Sequence, residues 1–327
     1  MSKRVAIIGC GLIGEKRAKT LSSCQLLACA DVIREKAEKL ASKYPSCAVY
    51  TDWREMLKRS DIDIVIISTI HATLAEMTLH AITSGKHVLV EKPAARHVDE
   101  LDQVIAAAEK SNVHVRVGFN HRYHRAFRKA REIIQAGDLG DLMFIRARYG
   151  HGGRPGYEKE WRAQPAISGG GELIDQGIHL IDLARWFLGD FSEIHGFTHT
   201  YYWNMPVEDN GFLILKTPKK QVAHLHASCT EWKNLFSFEI YGKRGKIDIH
   251  GLGGSYGVEC ITHYKMLASM GPPETMTFEF PMADDSWQVE WDEFLDDIQK
   301  HRKPSAGLMD AKEALKIVNE VYRMSQI

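Results

Sequence analysis

The 327-residue chain lacks an excess of charge of either sign, because 42 Lys and Arg stand against 42 Asp and Glu. Without a net field to draw in polyanions or an anionic bilayer, no nucleic-acid or membrane partner is expected. Cysteine is sparse: the six residues Cys10, Cys24, Cys29, Cys47, Cys229 and Cys260 include no Cys-x-x-Cys pair. A chain of this size needs no disulfide staples, so reduced thiols are expected. Histidine is plentiful at 16, yet neither His-Glu-x-x-His nor a His/Cys cluster with metal spacing occurs, and no metal is expected. Long apolar runs are also missing. The first, residues 5–8, is too brief for a signal-peptide core or a membrane span, which points to a cytoplasmic protein. Repeats, low-complexity tracts and a disordered linker are absent as well, leaving 44% hydrophobic and 26% charged residues, the balance of a globular protein with two ordinary domains.

What is present changes rhythm near residue 120. Before it, short β-branched runs at 5–8, 25–30, 48–50, 62–68, 87–90 and 114–119 alternate with amphipathic stretches at 15–22, 34–44, 53–59, 73–84 and 98–110. Strand and helix in alternation imply βαβ units and a doubly wound parallel sheet, here as a Rossmann domain over 1–120. After it, a helix at 125–136 precedes alternating segments at 142–149, 193–202, 211–216, 221–230, 235–241, 246–250 and 274–279, interrupted by an apolar helix at 172–188. Long alternating strands without intervening helices suggest a large, mostly antiparallel open sheet. The expected fold is thus α/β, a dinucleotide-binding domain followed by an α+β substrate and oligomerisation domain over 121–327, closed by helices at 289–300 and 310–324.

Gly9-Cys10-Gly11-Leu12-Ile13-Gly14 fits Gly-x-Gly-x-x-Gly, directly after the first strand and opening the first helix. The glycines permit a tight turn, close approach of backbone to a pyrophosphate, and close packing of helix on strand. Gly9, Gly11, Leu12, Ile13 and Gly14 are therefore expected to hold a dinucleotide. Asp31 ends the second strand, where a carboxylate accepts from ribose hydroxyls and repels a 2′-phosphate, so NAD is favoured over NADP; a solvated turn aspartate is the other reading. Ser68, Thr69 and His71, at the end of the fourth strand, are expected beside the cofactor, with helix capping by Thr69 or Thr73 as the alternative.

Four blocks, Gly9 to Gly14, Glu91-Lys92-Pro93, Gly118-Phe119-Asn120, and the run from Gly171 to His179 with Asp175, together resemble the Gfo/Idh/MocA oxidoreductases, in order and spacing over essentially the whole chain. The resemblance implies hydride transfer between a nicotinamide and a hydroxyl or keto carbon of a sugar, cyclitol or nucleotide-sugar, a cis Lys92–Pro93 bond, and a homodimer or homotetramer. Physical reading of the residues agrees. Lys92 follows a strand at the carboxyl edge of the sheet, where it can donate to a reacting oxygen, a plain surface lysine being the alternative, and Glu91 beside it is counted with the cofactor residues. Asp175 and His179, four apart on one expected helix, share a face; a histidine can take a hydroxyl proton while a carboxylate orients it. A satisfied core pair is the alternative.

Lys92, Asp175 and His179 are thus the catalytic candidates. Asn120, Arg122 and Tyr123 occupy a stretch that in the family reads Asn-x-Arg-aromatic, with His121 in the variable slot. They are substrate candidates or, equally, a hinge. Arg154, Tyr157, Trp161 and Arg162 lie in a cationic, aromatic and glycine-rich stretch suited to a polyhydroxylated or anionic ligand, and are the specificity candidates, with a solvated loop as the equal alternative. Two other functions fit the same motifs: an NAD-dependent glycoside hydrolase using transient oxidation, and a non-catalytic NAD-sensing protein.

Overall fold

The first sheet is made of six short strands, buried except at the edge strand β3: β1 (Arg4–Ile8), β2 (Gln25–Ala30), β3 (Ala48–Tyr50), β4 (Ile64–Ile67), β5 (His87–Glu91) and β6 (Val115–Gly118). In the computed structural model, which describes residues 3–325, they pair in parallel in the order β3-β2-β1-β4-β5-β6. All four residues of β4, Ile-Val-Ile-Ile, are buried, as strands of a parallel sheet covered on both faces require. The strand order turns back between β1 and β4, and open parallel sheets bind ligands beyond the carboxyl ends at such a switch point. The fold therefore places the Gly9 turn, which follows β1, and Ser68, which follows β4, at that point.

This unit comprises the residues up to Phe119 together with Trp287–Lys312. Trp291, Phe294 and Ile298 of the helix Ser286–Lys300 share one apolar core with Ile7, Leu26, Ile66 and Leu89. A stretch far along the chain thus packs into the amino-terminal unit, although the rhythm of the sequence put everything after residue 120 in one domain.

The second unit comprises Asn120–Ser286 and the residues from Glu313 onward. Its strands are β7 (Leu142–Gly150), β8 (Glu193–His199), β9 (Asn210–Lys216), β10 (Val222–Ser228), β11 (Leu235–Gly242), β12 (Gly245–His250), β13 (Glu259–Lys265) and β14 (Glu274–Phe280). They form one sheet in the order β14-β13-β12-β11-β7-β10-β9-β8, antiparallel except for the β7–β10 pair. Phe238, Ile240, Ile247 and Ile249 are buried on one face, against which the helix Ile178–Leu188 packs at β7 and β10; Phe197 and Ile214 stand exposed on the other. β13 escapes sequence reading because its inward positions are Glu259, Ile261 and His263, so two of three buried side chains are polar and the alternation is hidden.

The expected helix over 172–188 is two elements. Leu173–Gly177 is a π-helical turn and Ile178–Leu188 an α-helix. Its start is fixed by the fully buried Glu208, whose carboxylate accepts from the amides of Gly171 at 2.9 Å and Leu173 at 3.0 Å and from the Tyr322 hydroxyl at 2.7 Å. Gly171 has to be glycine here, since a Cβ would lie 2.0 Å from the Glu208 carbonyl oxygen.

Candidate active site

In the first unit the site is built mainly from backbone. Gly9 has φ +91°, and a Cβ on it would sit 2.5 Å from the Ser68 carbonyl oxygen; one on Gly14 would sit 2.0 Å from that of Gly9. Packing alone explains those two glycines. A Cβ on Gly11, by contrast, meets nothing within 4 Å, so this position is kept bare toward open space, which is what close approach of a pyrophosphate needs. The turn leads into the helix Leu12–Lys19, whose first amides lack intrahelical partners. Ser68 Oγ donates to the Gly9 carbonyl at 2.8 Å and ties the end of β4 to the turn. The Asp31 carboxylate accepts from the Cys10 amide at 2.8 Å and the Ile33 amide at 2.9 Å, which holds it beside the glycine turn with room on each oxygen for a further donor. Leu12, Val32 and Ile33 are exposed next to these groups and offer apolar surface to a flat ring. Thr69 and His71 are less open: the Thr73 hydroxyl donates to Thr69 at 2.8 Å, and the His71 side chain is buried at the start of its helix.

A fully buried arginine explains two of the motif residues. Arg17 Nε donates to Glu91 at 2.7 Å and its Nη1 to Glu290 at 2.5 Å, while its guanidinium lies 4.3 Å from the Trp287 ring centre. A Cβ at Gly118 would come within 2.7 Å of Arg17 Nη2 and 3.0 Å of Glu91 Oε2, so the glycine leaves room for the ion pair. Burial pushes the Glu290 carboxyl up against the pull of Arg17 and Arg116. Glu91, expected on the cofactor, therefore has its carboxylate committed to Arg17. The Lys92–Pro93 bond that follows is cis, as the family resemblance implies.

The second unit builds its part from side chains on the π turn. Buried Asp175 accepts from Arg162 Nε at 2.8 Å, and Arg162 in turn lies over the Trp161 ring at 4.5 Å. Glu172, also buried, accepts from the Tyr157 hydroxyl at 3.3 Å and stands 3.3 Å from His151 Nε2. These two carboxylates perturb the rings around them. Burial first, and then the charges of Glu172 and Asp175, push the Tyr157 hydroxyl far up, and the half-buried Tyr256 near them goes up to about 12 even though its bond to Tyr149 pulls the other way. For Arg162, burial opposes the charge but Asp175 outweighs it, so the guanidinium is held more firmly cationic.

His179 is buried, and its ring stacks face to face on His121 with centroids 3.8 Å apart and planes 22° from parallel. The neighbouring network fixes the tautomer of His121. Asn120 uses its amide nitrogen to donate to Ser286 Oγ at 3.0 Å, so its oxygen, 3.2 Å from His121 Nδ1, is the acceptor and Nδ1 carries the hydrogen. His124 packs edge-on against His121 at 5.4 Å and pairs with Glu259 at 3.2 Å. Arg122 is committed to a buried bidentate pair with Asp182, at 2.8 and 2.5 Å, and Tyr123 is buried. Arg154 is exposed and paired with Glu160 at 2.6 Å. Chemically, a buried imidazole at the start of the α-helix and a carboxylate on the π turn before it can accept and hold a hydroxyl proton, and the arginines paired here bring no uncompensated charge.

Each unit matches a family model. Residues 3–119 match a model described as an oxidoreductase family with an NAD-binding Rossmann fold, and residues 127–248 match the GFO/IDH/MocA C-terminal domain. The chain belongs to the Gfo/Idh/MocA oxidoreductases. It is 31% identical over 184 residues to levoglucosan dehydrogenase of Pseudarthrobacter phenanthrenivorans, covering 56% of this chain and 47% of that protein. To D-glucoside 3-dehydrogenase of Escherichia coli it is 32% identical over 191 residues, 57% of this chain and 54% of the other. The chain thus spans about half the length of these curated relatives. A solved levoglucosan dehydrogenase in complex with NADH superposes with a TM-score of 0.89 at 22% identity, covering 99% of this chain and 98% of that one, a likeness of fold.

Within this Gfo/Idh/MocA chain, several residues that shape the site carry no motif. Arg17 is one basic residue among three in an apparently solvated helix, and only its burial gives it away. Asp182, Glu208 and Glu259 read from sequence as ordinary helix or strand acids, yet all three are buried and anchor Arg122, the π turn and His124. A polar residue at an inward position of an otherwise apolar stretch was the one available signal, as at Asp182 within Ile178–Leu188.

Proposed function

We propose that the chain is an NAD-dependent dehydrogenase or reductase that acts on a neutral sugar or cyclitol. The observation that carries this reading is the pairing of each arginine among the substrate candidates with a carboxylate: Arg122 with Asp182, Arg154 with Glu160, Arg162 with Asp175. A nucleotide-sugar or a sugar acid calls for unspent cations to meet its phosphates or carboxylate, whereas neutral hydroxyls are matched by tyrosines, histidines and compensated ion pairs. The related proteins named for levoglucosan and D-glucoside oxidation support the same class.

The nicotinamide, when bound, takes or gives the hydride. The glycine turn and Asp31 hold the dinucleotide, with Asp31 favouring NAD over NADP. Lys92 donates a hydrogen bond to the reacting oxygen, His179 holds the hydroxyl proton, and Asp175, tied to Arg162, orients the proton acceptor. Asn120 keeps His121 in its tautomer, and Tyr157, Trp161 and Arg162 shape the sugar pocket. NADH formation measured over a panel of neutral sugars, cyclitols, uronic acids and nucleotide-sugars tests the reading. Turnover confined to the anionic members would overturn it.

The open face of the second sheet supports a homodimer. Phe197, Phe212, Ile214 and Tyr241 line it, Phe212 stacks on His226 at 4.2 Å, and sheet-on-sheet packing is the common way to bury such a face. Ile214→Lys should release monomers in sedimentation. The six cysteines are free thiols, which suits a reducing cytoplasm, and among the described residues no helix is long and apolar enough to cross a membrane.

A further inference from the structure

One histidine holds the glycine-rich loop after β7 from two sides. His151 Nδ1 accepts from the Gly153 amide at 2.9 Å, and its Nε2 lies 3.3 Å from Glu172 Oε1, a carboxylate that is fully buried. A ring that accepts at Nδ1 carries its single proton on Nε2, the atom turned to Glu172. In this tautomer the neutral ring accepts from Gly153 and turns its N–H toward the Glu172 carboxylate at ion-pair distance. A second proton on Nδ1 would point at the Gly153 N–H, donor against donor. Gly153 has little freedom to turn aside: its φ is +68°, and a Cβ on it would lie 2.3 Å from the Trp203 ring, so its Cα is pressed against that indole.

The groups facing His151 are Glu172 and Asp175 from the π turn, Arg154 from the loop, Tyr157 and Arg162 from the short helices after it, and the segment carrying Glu231, whose amide donates to the His151 carbonyl at 3.0 Å. Burial opposes a charge on the ring, but the hydrogen bond and charge of Glu172, with Asp175 behind it, overcome burial and Arg154 and raise the His151 pKa above its ordinary value. Protonation therefore strengthens one contact, to Glu172, while it abolishes the other, to Gly153.

We propose that His151 is a positioning residue for the substrate loop: as the neutral Nε2–H tautomer it latches the Gly153 amide to buried Glu172, and protonation at Nδ1 opens the latch. The proposal rests on the reading that this loop, with Arg154 and Tyr157, holds the sugar. With the latch closed, Arg154 stays at Glu160 and Tyr157 at Glu172. With it open, the loop loses its one side-chain anchor on Gly153, so the apparent affinity for sugar falls while cofactor binding is untouched.

The test compares the parent with His151→Gln, whose amide offers an acceptor and a donor but does not titrate. Sugar KM and kcat are measured at saturating NAD from about pH 5 to about pH 9, the range a histidine spans. In the parent, KM should rise about tenfold per pH unit below the His151 pKa, with kcat following a different profile, and in H151Q this rise in KM should vanish. A flat parent KM, or an H151Q enzyme that keeps the parent slope, overturns the latch. Hydrogen exchange at the Gly153 amide in the unmodified protein, corrected for its intrinsic pH dependence, decides independently of any variant or substrate. Protection lost on acidification supports the latch, and protection that persists overturns it. If protection is lost but no sugar is oxidised, the latch stands and the functional reading above fails.

Discussion

The two units reach their functional geometry by different means. In the first, the Gly9–Gly14 turn works through what is missing: side chains that packing forbids at Gly9 and Gly14, and at Gly11 one that no protein atom forbids. In the second, Asp175, His179, Glu172 and His151 work through what is present, each held by a partner distant in sequence or by a neighbouring ring. A site made of backbone tolerates no added atoms, while a site made of side chains tolerates no lost partners. The largest expected effect follows from the second kind. His179→Asn removes the proton acceptor and should lower kcat by about 10²–10⁴-fold, with NAD affinity unchanged in a fluorescence titration. An unchanged kcat would reduce the second unit's cluster to a satisfied core pair.

The contrast is not one of charge, since the first unit also buries an ion network. Arg17→Met leaves Glu91 and Glu290 without their shared cation, and breaking a buried pair from one side costs about 3–5 kcal/mol. A urea unfolding curve should show that loss. If stability holds while kcat falls, Arg17 serves Lys92 more than the fold.

Gly14→Ala and Gly11→Ala then separate the two reasons for glycine inside one motif. The Gly14 variant places a carbon 2.0 Å from the Gly9 carbonyl oxygen and should cost about 1–3 kcal/mol by overpacking. Its Gly11 counterpart meets no protein atom within 4 Å, so the melting temperature should hold while NAD binds more weakly.

How much was legible follows the same line. A glycine pattern records a backbone need that is local in sequence, so the turn, the acid that ends β2 and the parallel character of the sheet could be read directly from residues, while the order of its strands could not. The strands of the second sheet were legible where alternation was apolar and lost at β13, where Glu259 and His263 point inward. Asp175 and His179 could be placed on one helical run, but not the π turn, because it depends on Glu208 reaching Gly171 and Leu173 from more than thirty residues away. The His121–His179 stack was equally hidden, since nothing in the spacing of residues 58 apart announces a ring contact.

Glu208 allows the π turn to be tested through pH. Burial pushes its carboxyl up to about 7, against the opposing hydrogen bonds of Tyr322, Leu173 and Gly171. The folded state then binds a proton that the unfolded chain, with a carboxyl near ~4.3, gives up. This group's contribution is therefore fully present below the unfolded value and is lost as pH rises toward 7, by about 1.4 kcal/mol per pH unit within that window. Glu208→Gln, unable to titrate, should flatten that part of the stability profile measured by denaturant unfolding at several pH values. A profile unchanged by the substitution would mean that the carboxylate is held ionised by its three donors.

The smallest effect returns to the first unit and asks whether the side chain proposed to choose its cofactor behaves like those of the second unit. Asp31 is fixed by two backbone amides, one of them the Cys10 N–H inside the glycine turn, so its position comes from backbone even though its action would be electrostatic. Asp31→Asn removes the negative charge that repels a 2′-phosphate, and its single oxygen can accept from only one of those two amides. The ratio of kcat/KM for NADP to that for NAD should rise about tenfold, which is ~1.4 kcal/mol of discrimination, while the lost amide contact lowers stability by about 1 kcal/mol. If the ratio stays put, cofactor choice lies in the exposed surface of Val32 and Ile33 or in Arg34, and the carboxylate serves only to brace the turn.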